Sequence, residues 1–138
     1  MDFNGAKTLL QTTFATAWGS TSPIVEMNEF YVSSTRTAYV GHDFIETNAY
    51  EPQVGRKNGT VGQTRVRHHG IWTVKIMTLL GSGIDSTLSN KVNTICDCKT
   101  IGSIITRAGR QTYSGKSLNK AFYEEQYAFE FDFDEIKT

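Results

Sequence analysis

Residues 122–135 read FYEEQYAFEFDFDE, the strictest alternation in the chain. Tyr123, Glu125, Tyr127, Phe129, Phe131 and Phe133 fall on one side of an extended strand, and Phe122, Glu124, Gln126, Ala128, Glu130, Asp132 and Asp134 fall on the other. A two-residue period admits no helix, and the two sides differ too much to share an environment. Burying three Phe and a Tyr contributes roughly 1.5–3 kcal/mol each before folding entropy is subtracted. The aromatic side must therefore lie on the core. Glu124, Glu130, Asp132 and Asp134 cannot be buried unpaired, so they face solvent or a partner.

Helices must cover that aromatic side, and two are readable. Phe3, Ala6, Leu10, Phe14, Ala17 and Trp18 recur at three- and four-residue steps, predicting a helix over 3–18. Asp2 caps its start and Gly19-Ser20 ends it before Pro23. A second helix follows Asp85 or Ser86, with Leu88, Val92, Ile95 and Cys96 on one face. Between the helices, Val66–Met77 alternates as a long strand with Trp72, Val74 and Ile76 on one side. TIGSIITRAGRQTY (100–113) reads as one further strand. Residues 20–62 are broken by Gly41, Pro52, Gly55 and Gly62, and Asn58-Gly59 is a strong hairpin signal. The expectation there is an exposed, mobile hairpin or loop over about 41–64.

These elements predict one α+β domain over residues 1–138. Its mostly antiparallel sheet has four strands or slightly more, two helices pack on one face, and an extended β-hairpin or loop projects from it. The other sheet face is left polar and open.

Several chemical signals dissolve on inspection. His68 and His69 are adjacent on a strand, so they project to opposite faces and cannot grip one metal together. Cys96 and Cys98 are the only cysteines, as Cys-Asp-Cys, with no second pair to complete a metal set. Cys96 is expected to pack as a small apolar residue. Gly81-Ser82-Gly83 lacks the lysine of a phosphate loop, and Gly115-Lys116-Ser117 has Arg110 where the first glycine belongs. Asn58-Gly59-Thr60 matches a glycosylation sequon, but the turn reading accounts for it. No stretch approaches a membrane span of ~20 apolar residues, and the N-terminus lacks the basic-then-apolar layout of a secretory signal. No cofactor is called for.

Net charge is zero, yet the signs are segregated. Residues 1–53 carry two Lys/Arg and six Asp/Glu, residues 54–120 eleven and two, and residues 121–138 one and six. Such separation suits head-to-tail contact between copies, or a nucleic-acid patch. The basic candidates are Arg56, Lys57, Arg65, Arg67, Arg107 and Arg110.

An N-terminal amphipathic helix, an irregular region, an Arg-rich approach to HHGIWTVKIMTLLGSGIDST and a closing alternating strand together resemble the tail terminator (tail completion) proteins of long-tailed bacteriophages. Their pattern R-x-x-G-x-x-x-V-x-[IV]-x-x-x-x-G-x-G falls here on Arg67, Gly70, Val74, Ile76, Gly81 and Gly83. The resemblance covers most of 63–134 and, more loosely, the first helix; residues 28–62 depart from it in length and polarity. It implies a structural virion protein, assembled in the host cytoplasm, that forms a hexameric homo-oligomeric ring at the head-proximal end of the tail tube. The ring stops tube polymerisation and meets the head–tail connector proteins, while DNA passes through the lumen without specific binding. The basic set would then join subunits or tube, and Glu124, Glu130, Asp132 and Asp134 would line the lumen, where acid avoids holding phosphates.

Three other readings compete. A nucleic-acid-binding module would use the basic set, with Tyr39, Tyr50 and Tyr113 for stacking. Another head–tail joining or tail tube protein would share the layout. An enzyme would need His42 with Asp43, or the His pair with a carboxylate of the last strand, but His42 and Asp43 point apart on a strand and no G-x-S-x-G elbow exists.

Overall fold

The structure is a computed structural model and describes residues 1–26, 38–53, 56–57, 60–61, 64–79, 86–116 and 122–137. Helix α1 (Phe3–Trp18) begins where Asp2 accepts a hydrogen bond from the Gly5 amide at 2.8 Å. It ends at Gly19, whose φ of 61° lies in the left-handed region that glycine enters without a steric penalty. Its inward stripe is Ala6, Leu10, Phe14 and Trp18. Ala17, expected on that stripe, is exposed. Helix α2 (Ser86–Cys96) buries Leu88, Ser89, Val92 and Cys96. It is tied to α1 by Lys91, whose ammonium donates to the Trp18 carbonyl at 3.1 Å and lies 5.4 Å from the Trp18 ring centre. A cation at a helix C-terminus also meets the negative end of its dipole.

The strands are β1 (Ile24–Glu26), β2 (Tyr39–Gln53), β3 (Arg56–Lys57), β4 (Thr60–Val61), β5 (Thr64–Leu79), β6 (Thr100–Ile101), β7 (Ile104–Thr106), β8 (Arg110–Lys116) and β9 (Phe122–Lys137). Seven form one sheet in the order β1-β2-β5-β9-β7-β6, with β8 also on β9. This corrects the expected four-strand sheet: three long strands make its body, and short pieces extend both edges. It is also mixed, because β1 runs parallel to β2 while the other pairs are antiparallel. The single strand expected over 100–113 is a short β6–β7 hairpin, turned at Gly102 (φ 60°), and then β8.

Of the hairpin or loop expected over 41–64, residues 39–53 pair along β5, and β3 pairs with β4 in a short separate ladder. Asn58 and Gly59, which carried the hairpin signal, lie outside the described residues. Gly41 pairs with Lys75 in regular register, and Pro52 falls within the register shift between Tyr50 and Gln53, where the ladder does not call on the N–H that proline lacks.

One core cluster joins α1, α2 and the inward side of β2, β5, β7 and β9. Phe129 and Phe131 are fully buried and Phe133 nearly so, while Glu130 is exposed. From Phe129 to Asp134 the last strand is oriented as its alternation predicts, while Phe122 and Ala128, expected on the outward side, are buried. Trp72 lies opposite Phe129, and Gly70 opposite Phe131. At Gly70 an added Cβ would sit 2.5 Å from the Phe131 ring, so that glycine is the slot over which the ring lies.

Candidate functional site

The side of the sheet away from the helices is where the predicted residues converge. β5 and β9 run antiparallel with Arg67 opposite Asp134, His69 opposite Asp132 and Ile71 opposite Glu130. Directly opposed side chains share a face, and these lie on the face away from the helices. Arg67 grips Asp134 with a fork, Nε to Oδ1 at 2.8 Å and Nη2 to Oδ2 at 3.1 Å, and Arg65 approaches the same carboxylate at 3.8 Å. The hydrogen bonds from Arg67, against partial burial, hold the Asp134 carboxyl below the usual carboxylate range; the same contacts, with Tyr50, push the Arg67 guanidinium up.

Asp132 is held from two sides. Arg107 donates to it through Nε at 3.0 Å and through Nη2, and His69 donates through Nδ1, since an ionised carboxylate only accepts. Tyr50 of β2 stacks on His69 with ring centres 5.5 Å apart. Ser103 and Ile105 complete the wall of a concavity of about 540 Å³ over Tyr50, Arg67, His69 and Arg107. A second depression of about 390 Å³ shares His69, Arg107 and Asp132 and reaches Glu130.

Half of the two charged sets expected to act separately is thus one network. Arg65, Arg67 and Arg107 neutralise Asp132 and Asp134 within the chain, which corrects the picture of a bare acidic strand. Arg110 is exposed on β8 opposite Ala128, away from the network. Glu124 accepts from Gln126 at 2.5 Å, and Glu130 is exposed. Arg56 and Lys57 are placed on β3 by pairing with Val61 and Thr60, and their side chains lie outside the described residues, as do Gly81 and Gly83.

The histidines behave as the strand period requires. His69 is on the open face, while His68 is buried on the core side, stacked on Phe133 at 4.7 Å. Its Nδ1 meets Glu46 at 3.2 Å and its Nε2 meets Glu135 at 2.9 Å, a buried crosslink between three strands. His42 is buried beside Phe14 and Phe44, and Asp43 points outward, so these two do not form a pair. Cys96 is buried, which pushes its thiol up, and Cys98 is exposed. No group of three or more metal-ligating side chains occurs among the described residues. No described helix is long and apolar enough to cross a membrane.

Sequence reasoning paired His68 and His69 with a carboxylate of the last strand and offered Tyr50 for stacking, and it missed Glu46 as the other partner of His68. The parity of Arg67, His69, Asp132 and Asp134 was readable, but the register that sets them opposite one another was not.

The Asp134 network gives a pH prediction. Its folded carboxyl is held below the ordinary value, so its contribution is present above the unfolded carboxylate range and is lost as pH falls through the folded value. At neutral pH Asp134→Asn is expected to lower stability by under about 1 kcal/mol, because the pair is part-exposed and screened. Urea midpoints of the two proteins should converge as the solution is acidified; a gap that stays constant into strong acid would refute this origin.

No family model matches this sequence, and neither does any curated protein. Among solved structures, one protein chain aligns over 92% of this chain and 94% of its own length, with a TM-score of 0.59 and 13% identity. That likeness establishes a shared fold and nothing about activity.

Proposed function

We propose that this chain is a structural ring subunit of a phage tail, a tail-terminator-like protein that ends tube growth and joins the tail to the head connector. The observation that carries the reading is the three-strand platform of β2, β5 and β9, packed by two helices on one side and bearing an ordered charged network on the other. Ile45, Tyr50, Ile105 and Tyr113, four of the five exposed large apolar side chains among the described residues, lie opposite Ile71, Arg67, Asp132 and Gln126 on the side away from the helices. A surface mixing apolar anchors with ordered ion pairs suits contact between proteins. The role is structural, without catalysis or cofactor, and the protein belongs in the virion.

The ring reading does not need the open face to line the lumen. With Asp132 and Asp134 neutralised by arginines, the argument from an acidic wall loses its premise, and the face is left for protein contact. The nucleic-acid alternative is disfavoured by Ile45, Ile105 and Glu130, exposed on the same face, which a phosphate backbone does not match.

Native mass spectrometry over a wide concentration range, with electron microscopy of the same samples, is expected to show single rings of six. Extended tubes would reassign the chain as a tube subunit. A monomer at every concentration that also fails to stop tube growth would overturn the reading.

A further inference from the structure

We infer that the groove between Tyr50 and Ile105 on the open sheet face docks an acidic, extended peptide segment of an unlike partner protein, with Arg107 and Arg67 meeting its carboxylates. The inference deepens the ring reading by naming what one face of a subunit holds, and it fails separately from it.

The charge of the groove is decided by which members of each ion pair reach solvent. The Arg107 side chain is 60% exposed while its partner Asp132 is 14% exposed. Arg67 and Asp134 are exposed nearly equally, at 36% and 32%. The outermost group is therefore a guanidinium, and the carboxylate beneath it serves to orient it. An oriented guanidinium presents its remaining N–H donors in a fixed fork, the geometry that pairs with a second carboxylate.

The walls favour a peptide over nucleic acid. Ile105, more than half exposed on the wall of the groove, has no counterpart in a phosphate backbone, whereas it offers an apolar seat for a side chain of an extended segment. Tyr50 is held flat against His69 and loses little freedom on contact, as an interface aromatic should. The exposed Glu130 in the adjoining depression repels a continuous run of phosphates but leaves room for a segment whose charges are spaced.

The test uses the whole chain with labelled isoleucine methyl groups followed by NMR. Three probes are titrated: an octapeptide alternating Glu with Leu, its Lys–Leu counterpart, and a short duplex DNA. The expected result is saturable shifts at Ile105 with the Glu–Leu peptide, and none at the buried Ile104. Arg107→Glu and Ile105→Ser should each weaken that binding at least tenfold, with the Ile104 signal reporting that the fold is retained. Equal binding of the Lys–Leu peptide, tighter binding of DNA at the same methyl groups, concentration-dependent shifts there without any probe (a second copy as occupant), or no shift at all would each overturn the inference. Rings of six with no peptide shift would remove the docking groove and leave the ring. Peptide shifts in a chain that never forms rings would do the reverse.

Discussion

Phe131→Ala is expected to lower stability by about 3–5 kcal/mol, the range for removing a fully buried aromatic ring. Phe131 has no exposed surface, stacks on Phe3 of α1 at 5.9 Å and lies over the slot at Gly70. Deleting the ring removes its own burial and also uncovers a strand position with no side chain to fill the space. Neighbours cannot collapse into it readily, because Gly70 is fixed in the ladder between Phe131 and β2. Chemical denaturation should show a lowered midpoint with an unchanged slope. Phe131→Leu, which refills part of the volume, should recover a portion of the loss. A loss below about 1 kcal/mol for Phe131→Ala would mean that the ring is not packed as described.

His68→Leu is the second large effect, for a different reason. Leucine has similar bulk and can rest on Phe133, so packing changes little. What disappears is the only described hydrogen-bond partner of both Glu46 and Glu135 at that position. Glu135 is the more enclosed, at 15% side-chain exposure, and Lys137 reaches it only at 4.0 Å. Leaving the enclosed Glu135 carboxylate without its partner costs roughly 1–3 kcal/mol, while water can solvate the more exposed Glu46. The expected loss is about 1–3 kcal/mol. His68→Leu combined with Glu46→Gln and Glu135→Gln should regain much of it. If the triple variant is no more stable than the single one, the crosslink carries no electrostatic weight. Because Glu46 stands beside the register shift in β2, amide exchange in the outer half of the β2–β5 hairpin should quicken in the single variant.

A mixed outcome for the sequence reading follows from what each signal depends on. The helix over 3–18, its Asp2 cap and Gly19 stop, the split of His68 from His69 and the orientation of β9 are consequences of local geometry. A period of 3.6 or 2 is written into neighbouring residues and needs no knowledge of the rest of the chain. The strand β2 is legible only in its first half, where RTAYVGHDFIET (36–47) reads as a strand. The polar run TNAYEPQ carries loop composition, and pairing with β5 is what makes it extended.

The candidate site divides along the same line. Side-chain alternation places Glu130, Asp132 and Asp134 on one face and the phenyl rings on the other, and the folded chain keeps that division. Alternation says nothing about which residue of another strand lies opposite. The pairing of β5 with β9 sets Arg67 against Asp134 and His69 against Asp132, and the loop after β7 brings in Arg107. Charge counted along the sequence therefore suggested separated blocks, whereas folding interleaves them. The sequence by itself determined which face each side chain takes, because that depends on the backbone period. Only the tertiary structure decided which opposite charges meet, because register between distant strands is a property of the whole core.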